Sequence, residues 1–380
     1  MKYRKLGSTD LLVSEIGFGC TYYRSVSEEE LSKIFTTGIA AGVNLLDICI
    51  SAYDTRDKIG RAMAGLRDKL IIQGHIGLTL VDGQEARTQE LQPAREHMED
   101  LMKRLNTDYI DIAMLHCVDS VEEYLAAEQS GLIAYMLEQK AKGVFKYLGF
   151  ASHNPDTATA LVKTGHFQIV MFSINPLFDL LLNDMQHWFT MPDDEAYPTE
   201  LNIDTRRAAF YALCAERGIG INAMKVLAAG TLVNPAGCPF SPALNVLQCI
   251  YYTLNRPAVG SAIIGFKKTE ELTDALRYFQ VSPEELDYTQ SLHSVTGEVG
   301  PQCMYCNHCL PCTAHIDIAR VTKTMDALIR DKTSISADEC HDLAVMAASC
   351  IACGQCASRC PFAVDVTANM KKAAQLLADV

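Results

Sequence analysis

The 380-residue sequence has no apolar run of the ~18–20 residues that a membrane-spanning helix requires. Its first ten residues, MKYRKLGSTD, lack the apolar core of a signal peptide. Basic residues are not in excess either, since 33 lysines and arginines stand against 46 aspartates and glutamates, for a net charge of −13. Because phosphate binding depends on lysine and arginine, this balance argues against a nucleic-acid-binding protein. We therefore expect a cytoplasmic protein with no membrane or nucleic-acid partner.

A glycine-rich phosphate-binding turn is also missing. The early segment GFGC does not match G-x-G-x-x-G, which an open nucleotide-binding sheet would carry after an early strand. Hydrophobic residues make up 49% of the chain and charged residues 21%, as is typical of a globular protein. At ~150 residues per domain, the length predicts two or three domains, or one large barrel with an appendage.

Cysteine, by contrast, is abundant, with 15 in the chain. In a reducing compartment so many thiols indicate metal binding rather than disulfides. Seven are isolated, mostly within apolar runs, and are interpreted mainly as small buried side chains. These seven are Cys20, Cys49, Cys117, Cys214, Cys238, Cys249 and Cys340. The other eight form two short runs, namely Cys303, Cys306, Cys309 and Cys312, and then Cys350, Cys353, Cys356 and Cys360.

The second run has the C-x2-C-x2-C-x3-C-P spacing of bacterial ferredoxins, in which the fourth cysteine binds the other cluster. The first run is a variant, with Thr313 where a proline would be expected. Zinc, the alternative metal, would leave thiols in excess of its needs. We therefore predict two 4Fe–4S clusters and interpret the nearby His308 and His315 as bystanders. A crossed arrangement would join Cys303, Cys306 and Cys309 with Cys360, and Cys350, Cys353 and Cys356 with Cys312.

Two segments between the cysteine runs have apolar residues at helical spacing, IDIARVTKTMDALIRD and SADECHDLAVMAAS. Ser336 and Glu339 form a capping-box pattern at the start of the second segment. We therefore predict a small all-α, di-cluster ferredoxin domain over residues 286–380.

Residues 1–285 alternate short apolar runs with amphipathic stretches, which is typical of an α/β protein with buried parallel strands. Eight such units predict a (β/α)8 TIM barrel rather than an open sheet. The eight apolar runs are SEIGFGC, VNLLDIC, KLIIQGHI, YIDIAMLHCV, FKYLGFAS, QIVMFSI, GIGINAMKV and SAIIGF.

Polar side chains stand where these runs end. In a barrel the chemistry gathers at the carboxyl ends of the strands, so we expect these side chains to share one site. They are Asp47, His75, His116, Ser152, Asn175 and Lys225, with Gly265, Lys267 and Lys268 after the eighth run.

The segments YRKLGSTDLLVSEIGFGC, GVNLLD, TDYIDIAMLH and SAIIGFKKTEEL together resemble the aldo-keto reductases. The two cysteine runs resemble the subgroup of that family with an appended ferredoxin domain. The resemblance implies a catalytic tetrad of Asp, Tyr, Lys and His, in which Asp47 matches the aspartate and His116 the histidine.

Two tetrad positions depart from the family pattern. Ala52 stands where the tyrosine is expected, and Tyr53 comes one residue later. Either a one-residue bulge brings Tyr53 into the site or this tyrosine is incidental. His75 stands in place of the lysine, so His75 and His116 are both candidates for the proton donor.

The resemblance also implies a cofactor region. The segment IIGFKKTEEL matches the part of the family that holds the adenosine phosphate end of NADP, with Lys267, Lys268 and Glu271 placed to bind the 2′-phosphate and adenine. NADP(H) is therefore the candidate cofactor, and the strand-end residues Ser152, Asn175, Lys225 and Gly265 are assigned to its pocket. Ala151 and Met171 replace the serine and the glutamine that usually hold the nicotinamide, which leaves a flavin or another carrier as an alternative. The segment 180–203, with His187 and Trp188, has no family counterpart and offers either substrate contacts or a loop anchor.

Together these features predict an iron–sulfur oxidoreductase that acts on a small carbonyl or related substrate, with a ferredoxin- or flavodoxin-type electron carrier as its partner. Two alternatives stay open. One is an electron-transfer or partner-docking protein whose degenerate barrel serves as a scaffold. The other is a non-redox lyase or isomerase that uses Asp47, His75 and His116 as acid and base.

Overall fold

The computed structural model describes residues 1–181, 202–293, 295, 300–330 and 335–380. Its strands are β1 (Tyr3–Lys5), β2 (Leu12–Ser14), β3 (Ile16–Gly19), β4 (Leu45–Ile48), β5 (Ile71–Ile76), β6 (Leu78–Val81), β7 (Gln84–Arg87), β8 (Ile110–Leu115), β9 (Phe145–Ser152), β10 (Ile169–Ser173), β11 (Gly220–Met224) and β12 (Val259–Ile264). Eight of them are parallel and close into a barrel in the order β10-β11-β12-β3-β4-β5-β8-β9. Each of the eight apolar runs supplies one barrel strand, so the predicted barrel is confirmed.

The helices follow the strands around the outside of the barrel and continue beyond it. Their bounds are α1 (Glu28–Ala40), α2 (Tyr53–Ala62), α3 (Leu91–Arg104), α4 (Val121–Gln129), α5 (Leu132–Ala141), α6 (Pro155–Thr164), α7 (Pro176–Leu180), α8 (Thr205–Arg217), α9 (Val246–Leu254), α10 (Thr269–Leu276), α11 (Thr289–Leu292), α12 (Ile318–Arg330), α13 (Ala337–Ala348), α14 (Gln355–Arg359) and α15 (Val366–Leu376). Local sequence explains several ends. Ser27 caps α1 by accepting from Glu30 N, and Gly218 ends α8 in the left-handed conformation.

The core has two layers. Side chains from alternate strands fill the barrel interior, including Leu45, Ile112, Met114 and Ile169. A much larger apolar layer lies between the strands and the surrounding helices and extends into the C-terminal helices. This double layer fixes the strands, and with them the side chains at their carboxyl ends.

A hairpin of β1 and β2 closes the end of the barrel where the strands begin. Leu6, between the two strands, is fully buried in the barrel core. Gly7 follows with a φ of 58°, and a Cβ there would collide with the backbone of Gly218 and Gly220. Because this end is closed, the functional site is left to the other end.

A second hairpin, β6–β7, extends the chain directly after β5. Its turn is Asp82-Gly83, with φ values of 51° and 76° that fit a tight two-residue hairpin connection. This hairpin was not predicted from the sequence.

The C-terminal part is helical, and α15 packs against both α12 and α13. Both predicted helical segments between the cysteine runs form helices, and the Ser336 hydroxyl accepts from Glu339 N at 3.3 Å to cap α13. The predicted boundary at residue 285 falls within a 3-10 turn, Pro283–Leu286.

Within the described residues, no helix is both long and apolar enough to cross a bilayer. His187 and Trp188, the candidate substrate contacts after the sixth barrel strand, lie outside the described residues.

Candidate active site

A cavity of about 440 Å³ lies at the carboxyl ends of the barrel strands. Asp47 lies on β4, His75 lies on β5, and His116 directly follows β8. All three are buried, and all three line this cavity. The structure therefore brings together three of the residues that were predicted to be catalytic.

Hydrogen bonds connect the three side chains in a row. Asp47 Oδ1 lies 2.9 Å from His75 Nε2, and His75 Nδ1 lies 2.8 Å from His116 Nδ1. Gln73 Nε2 donates to the same carboxylate oxygen at 2.6 Å, and Asn222 Nδ2 donates to Gln73 Oε1 at 2.8 Å. Gln73 and Asn222 thus hold the carboxylate from within the barrel.

The row of hydrogen bonds fixes the tautomers of the neutral rings. A carboxylate only accepts, so His75 Nε2 carries the proton that is donated to Asp47. His75 Nδ1 must then accept, and His116 Nδ1 donates to it. His116 Nε2 is left as the basic nitrogen of the row.

Burial and electrostatics keep His116 neutral. Burial lowers the pKa of His116 well below its usual value, and His75, Arg87 and His153 lower it further. At neutral pH His116 is therefore an acceptor at Nε2 rather than a standing acid.

Tyr53 is not brought to this cavity, and its predicted catalytic role needs correction. It is the first residue of α2, is 44% exposed, and is not among the cavity residues. Its ring lies beside His97, with 5.8 Å between the centroids, and under the Arg104 guanidinium at 4.4 Å. No bulge shifts the chain, so the interpretation of Tyr53 as incidental agrees with its position.

His308, interpreted from the sequence as a bystander to cluster binding, lines the cavity. Its ring meets the His116 ring edge to face at a centroid distance of 5.5 Å. Met304, Tyr305 and Cys306 from the same segment also line the cavity. The first cysteine run thus forms one wall of the barrel site.

The predicted cofactor residues divide into two groups. Four of them line the cavity, namely Lys225, Gly265, Lys267 and Glu271. Three do not, namely Ser152, Asn175 and Lys268. The Ser152 hydroxyl donates to Asp119 at 3.2 Å, Asn175 caps α7 and donates to Lys225 O at 2.7 Å, and Lys268 is the residue before α10.

Positive charge gathers at the Lys267 end of the cavity. The ammonium groups of Lys267 and Lys323 lie 4.6 and 5.5 Å from the centre of the Tyr22 ring. Partial burial and the neighbouring Lys267 lower the pKa of Lys323. Because Lys323 lies on α12, the C-terminal part contributes to this end of the site.

The eight thiols of the two cysteine runs form two sets. Cys312, Cys350, Cys353 and Cys356 line one small cavity together with Thr367 and Met370. In the other set, burial raises the pKa of Cys303 to about 12, with further contributions from Cys306 and Cys360. Burial also raises the pKa of Cys309, and Cys306, Cys303, Cys360 and Cys356 add to that rise. Each set combines three cysteines of one run with a terminal cysteine of the other.

Several cavity residues were not predicted from the sequence. Cys117 and His153 follow strands β8 and β9, and Glu85 and Arg87 lie on the β7 strand of the second hairpin. The Asp82-Gly83 pair after the apolar Leu80 and Val81 was a usable hairpin signal. Cys117 was grouped with the packing cysteines because a single cysteine in an apolar run carries no other pattern.

Comparison with known proteins identifies relatives over the barrel. The sequence model of the aldo/keto reductase family matches residues 15–237. The uncharacterized oxidoreductase YqkF of Bacillus subtilis (strain 168) is 26% identical over 314 residues, which cover 77% of this chain and 96% of that protein. The aldo-keto reductase YhdN of the same organism is 27% identical over 199 residues, or 49% of this chain and 56% of that protein.

Solved structures show the same barrel. The holo form of aldo-keto reductase AKR11C1 from Bacillus halodurans superposes with a TM-score of 0.60 at 20% identity, covering 77% of this chain and 95% of that chain. At this identity the similarity shows the fold alone.

Proposed function

The chain belongs to the aldo/keto reductase family and is an oxidoreductase, and on that premise we propose that it couples two 4Fe–4S clusters to the reduction of a small carbonyl compound, or to the reverse oxidation, in the barrel cavity. The observation that carries this proposal is a shared wall. Cys306 of the first cysteine run lines the same cavity as Asp47, His75 and His116. A cluster-binding thiol would therefore lie beside the groups that handle the substrate's proton.

The thiols fit the donor requirement of two such clusters, since each cluster needs four thiolates. Cys312 shares a cavity with Cys350, Cys353 and Cys356, and Cys360 is an electrostatic neighbour of Cys303, Cys306 and Cys309. This grouping supports crossed ligation between the two runs. When bound, the clusters would supply or accept electrons one at a time.

The chain's own residues supply the proton transfer. In the oxidation direction, His116 Nε2 accepts the hydroxyl proton of the substrate. Its Nδ1 proton then moves across the 2.8 Å hydrogen bond to His75, where Asp47 stabilises the positive charge. Reduction runs the same steps in reverse: the clusters supply two electrons, His116 Nε2 delivers one proton to the oxygen, and a second proton from solvent goes to the carbon. The row thus replaces the tyrosine that the family pattern leads one to expect.

The Lys267 end of the cavity supports NADP(H) as a second redox partner. Lys267 and Lys323 offer two ammonium groups for a phosphate, and the Tyr22 ring offers an apolar face. At the nicotinamide end, Met171 and Ala151 line the cavity in place of the usual polar residues. NADP(H) is therefore held mainly through its phosphate end, and a flavin stays the alternative occupant.

The C-terminal surface supports an external electron carrier. Cys353 is the only exposed cysteine of the fifteen, all of which lie within the described residues. Next to it, Ile351 is 63% exposed. A ferredoxin- or flavodoxin-type protein that docks at this apolar point would meet the thiol set of Cys312, Cys350, Cys353 and Cys356.

Replacement of Cys353 by alanine tests the proposal. The anaerobically reconstituted variant should lose one cluster, about four irons, and carbonyl turnover should fall by at least about tenfold. Cys340→Ala removes an isolated buried thiol of α13 and serves as the matched control, with its iron content and turnover retained. Full carbonyl turnover in Cys353→Ala would contradict cluster dependence.

A further inference from the structure

A second group of metal-ligating side chains lies next to the proton-transfer row. His116, Cys117 and His308 have ligand atoms that all lie within 4.8 Å of one another. All three side chains line the cavity. They come from two distant parts of the chain, since His116 and Cys117 follow β8 and His308 belongs to the first cysteine run.

The spacing suits a single tetrahedral ion. Zinc–sulfur and zinc–nitrogen bonds of ~2.3 and ~2.05 Å at a tetrahedral angle place the two ligand atoms about 3.6 Å apart. Cys117 Sγ lies 3.6 Å from His308 Nδ1. The thiol and the imidazole therefore already have the separation that one bound ion would impose.

His116 is oriented as a metal ligand usually is. Metal-binding histidines generally donate their other ring N–H to a carboxylate or a comparable acceptor, which fixes the tautomer. Here His116 Nδ1 donates to His75, and His75 in turn donates to Asp47. His116 Nε2 is thereby left as the nitrogen for an ion in the cavity.

The Cys117 thiol lies between a guanidinium group and a carboxylate. Arg87 Nη1 lies 3.4 Å from its sulfur and donates to its carbonyl oxygen at 3.1 Å. The Cys117 thiol donates to Asp119 Oδ2 at 3.3 Å. The same carboxylate oxygen lies 3.0 Å from His153 Nδ1. Cys117 also has a φ of 47°, a conformation that a non-glycine residue keeps only where its surroundings enforce it.

We propose that His116, Cys117 and His308 bind one zinc ion and leave its fourth position open toward the cavity. Binding forms the sulfur–zinc bond and breaks the S–H bond of Cys117, and the thiol proton passes to solvent. Three protein ligands with one open position are the pattern of catalytic zinc sites. The role of the ion rests on the proposed function: it would polarise the carbonyl oxygen as a Lewis acid. Because His116 Nε2 would then be a zinc ligand, the hydroxyl proton of a bound alcohol would pass to water in the cavity, and the row would carry that proton only in the zinc-free protein.

Metal analysis of the reconstituted holoprotein tests the site without any turnover. After equilibration with Zn²⁺ and gel filtration, the chain should carry one zinc in addition to about eight irons, four for each cluster. Cys117→Ser and His308→Gln should each lose the zinc and keep the iron. Cys49→Ser, which removes another cavity thiol, should keep both metals. Loss of iron from Cys117→Ser would overturn the proposal, because Cys117 would then serve a cluster.

X-ray absorption at the zinc edge of the unmutated holoprotein covers the case in which the variants fail to fold. The proposal predicts one sulfur and otherwise nitrogen or oxygen neighbours around zinc. An all-sulfur shell would place the zinc in the cysteine runs and overturn the site, as would zinc-free holoprotein. Because neither readout involves carbonyl turnover, failure here leaves the cluster-dependent reduction to stand or fall by the Cys353→Ala assay.

Discussion

His75 occupies the position where the family pattern has lysine, and this exchange changes how the site handles a proton. A lysine would keep its positive charge at neutral pH, whereas an imidazole can accept a proton on one nitrogen and release one from the other. The contacts on both sides of His75, to Asp47 at 2.9 Å and to His116 at 2.8 Å, use this property. This arrangement supports the proposal that the site transfers protons along a row rather than from one tyrosine.

Replacement of Asp47 by asparagine tests the carboxylate at one end of the hydrogen-bonded row. An amide cannot stabilise a positive charge on His75, so we expect turnover to fall by about 10²-fold, within the range of general acid–base contributions. NADPH binding, followed by fluorescence titration, should stay unchanged. Tyr53→Phe is the matched control, because Tyr53 lies outside the cavity and its loss should leave turnover within about twofold. A large loss in Tyr53→Phe instead would restore the ordinary tetrad.

His97 on α3 gives a prediction for stability against pH. Burial and the nearby Arg56 lower the pKa of His97 from its usual 6.5 to about 3. Below about pH 6.5 the unfolded chain binds a proton at His97 that the folded chain refuses until about pH 3. The free energy of unfolding should therefore fall as the pH falls through this window.

Urea unfolding of the protein and of His97→Gln at several pH values checks this sign. The variant should lose part of the pH dependence between 6.5 and 4. Substitution of His341, which is exposed on α13, provides the control and should not change how the free energy of unfolding depends on pH. If the free energy of unfolding of His97→Gln depends on pH as strongly as that of the unmutated protein, His97 does not have the lowered pKa.

At the scale of elements, the β6–β7 hairpin joins the barrel to the first cysteine run. Gln84 donates from Nε2 to Cys312 O at 3.0 Å and accepts from Cys312 N at Oε1, also at 3.0 Å. Arg359 donates to the carbonyls of Cys309 and Pro311 from the other side, at 3.1 and 2.7 Å. Backbone groups of this cysteine run are thus held from both sides.

Gln84→Ala should loosen the run. Loss of both hydrogen bonds should cost about 1–3 kcal/mol, which corresponds to about 5- to 150-fold faster iron release to a chelator under anaerobic conditions. Gln92→Ala removes an exposed glutamine of α3 whose amide donates to Glu96, and it should not change the rate. Equal rates in both variants would mean that the hairpin does not secure the cysteine run.

Helix α12 should affect the choice of nicotinamide cofactor through Lys323. In Lys323→Ala the affinity for NADPH should fall about tenfold, as for loss of a hydrogen bond to a charged group, while that for NADH stays constant. Lys268→Ala removes the same charge from the residue before α10 and should change NADPH affinity by less than about twofold. Parallel titrations of both cofactors make this comparison. A similar loss for NADH would show that Lys323 does not bind the 2′-phosphate.

At the scale of the whole molecule, the barrel was predictable because each buried parallel strand is a short apolar run bounded by polar residues. The same regularity located Asp47, His75 and His116, since parallel strands deliver their carboxyl ends to one place. His308 and Lys323 could not be found this way. Their approach to the cavity depends on how the C-terminal segment packs on the barrel, and no local pattern encodes that contact.

Tyr53 shows the limit of motif matching. Tyr53 stands one residue after the position of the family's tyrosine, and it begins a helix. Because successive residues of a helix point in different directions, this shift of one residue turns the side chain away from the site. The hairpin β6–β7 was missed although its Asp82-Gly83 turn is a recognised signal. Its strands are only four residues each, and they follow a barrel strand after a single residue.

The central claim is that electrons pass between the clusters and the barrel cavity. Its most direct measurement is the paramagnetic resonance signal of the dithionite-reduced holoprotein after anaerobic addition of small carbonyl compounds. The claim predicts that a reactive carbonyl abolishes the reduced-cluster signal and yields one alcohol for each pair of electrons lost. Clusters that stay reduced while the same protein reduces that carbonyl with NADPH would contradict it.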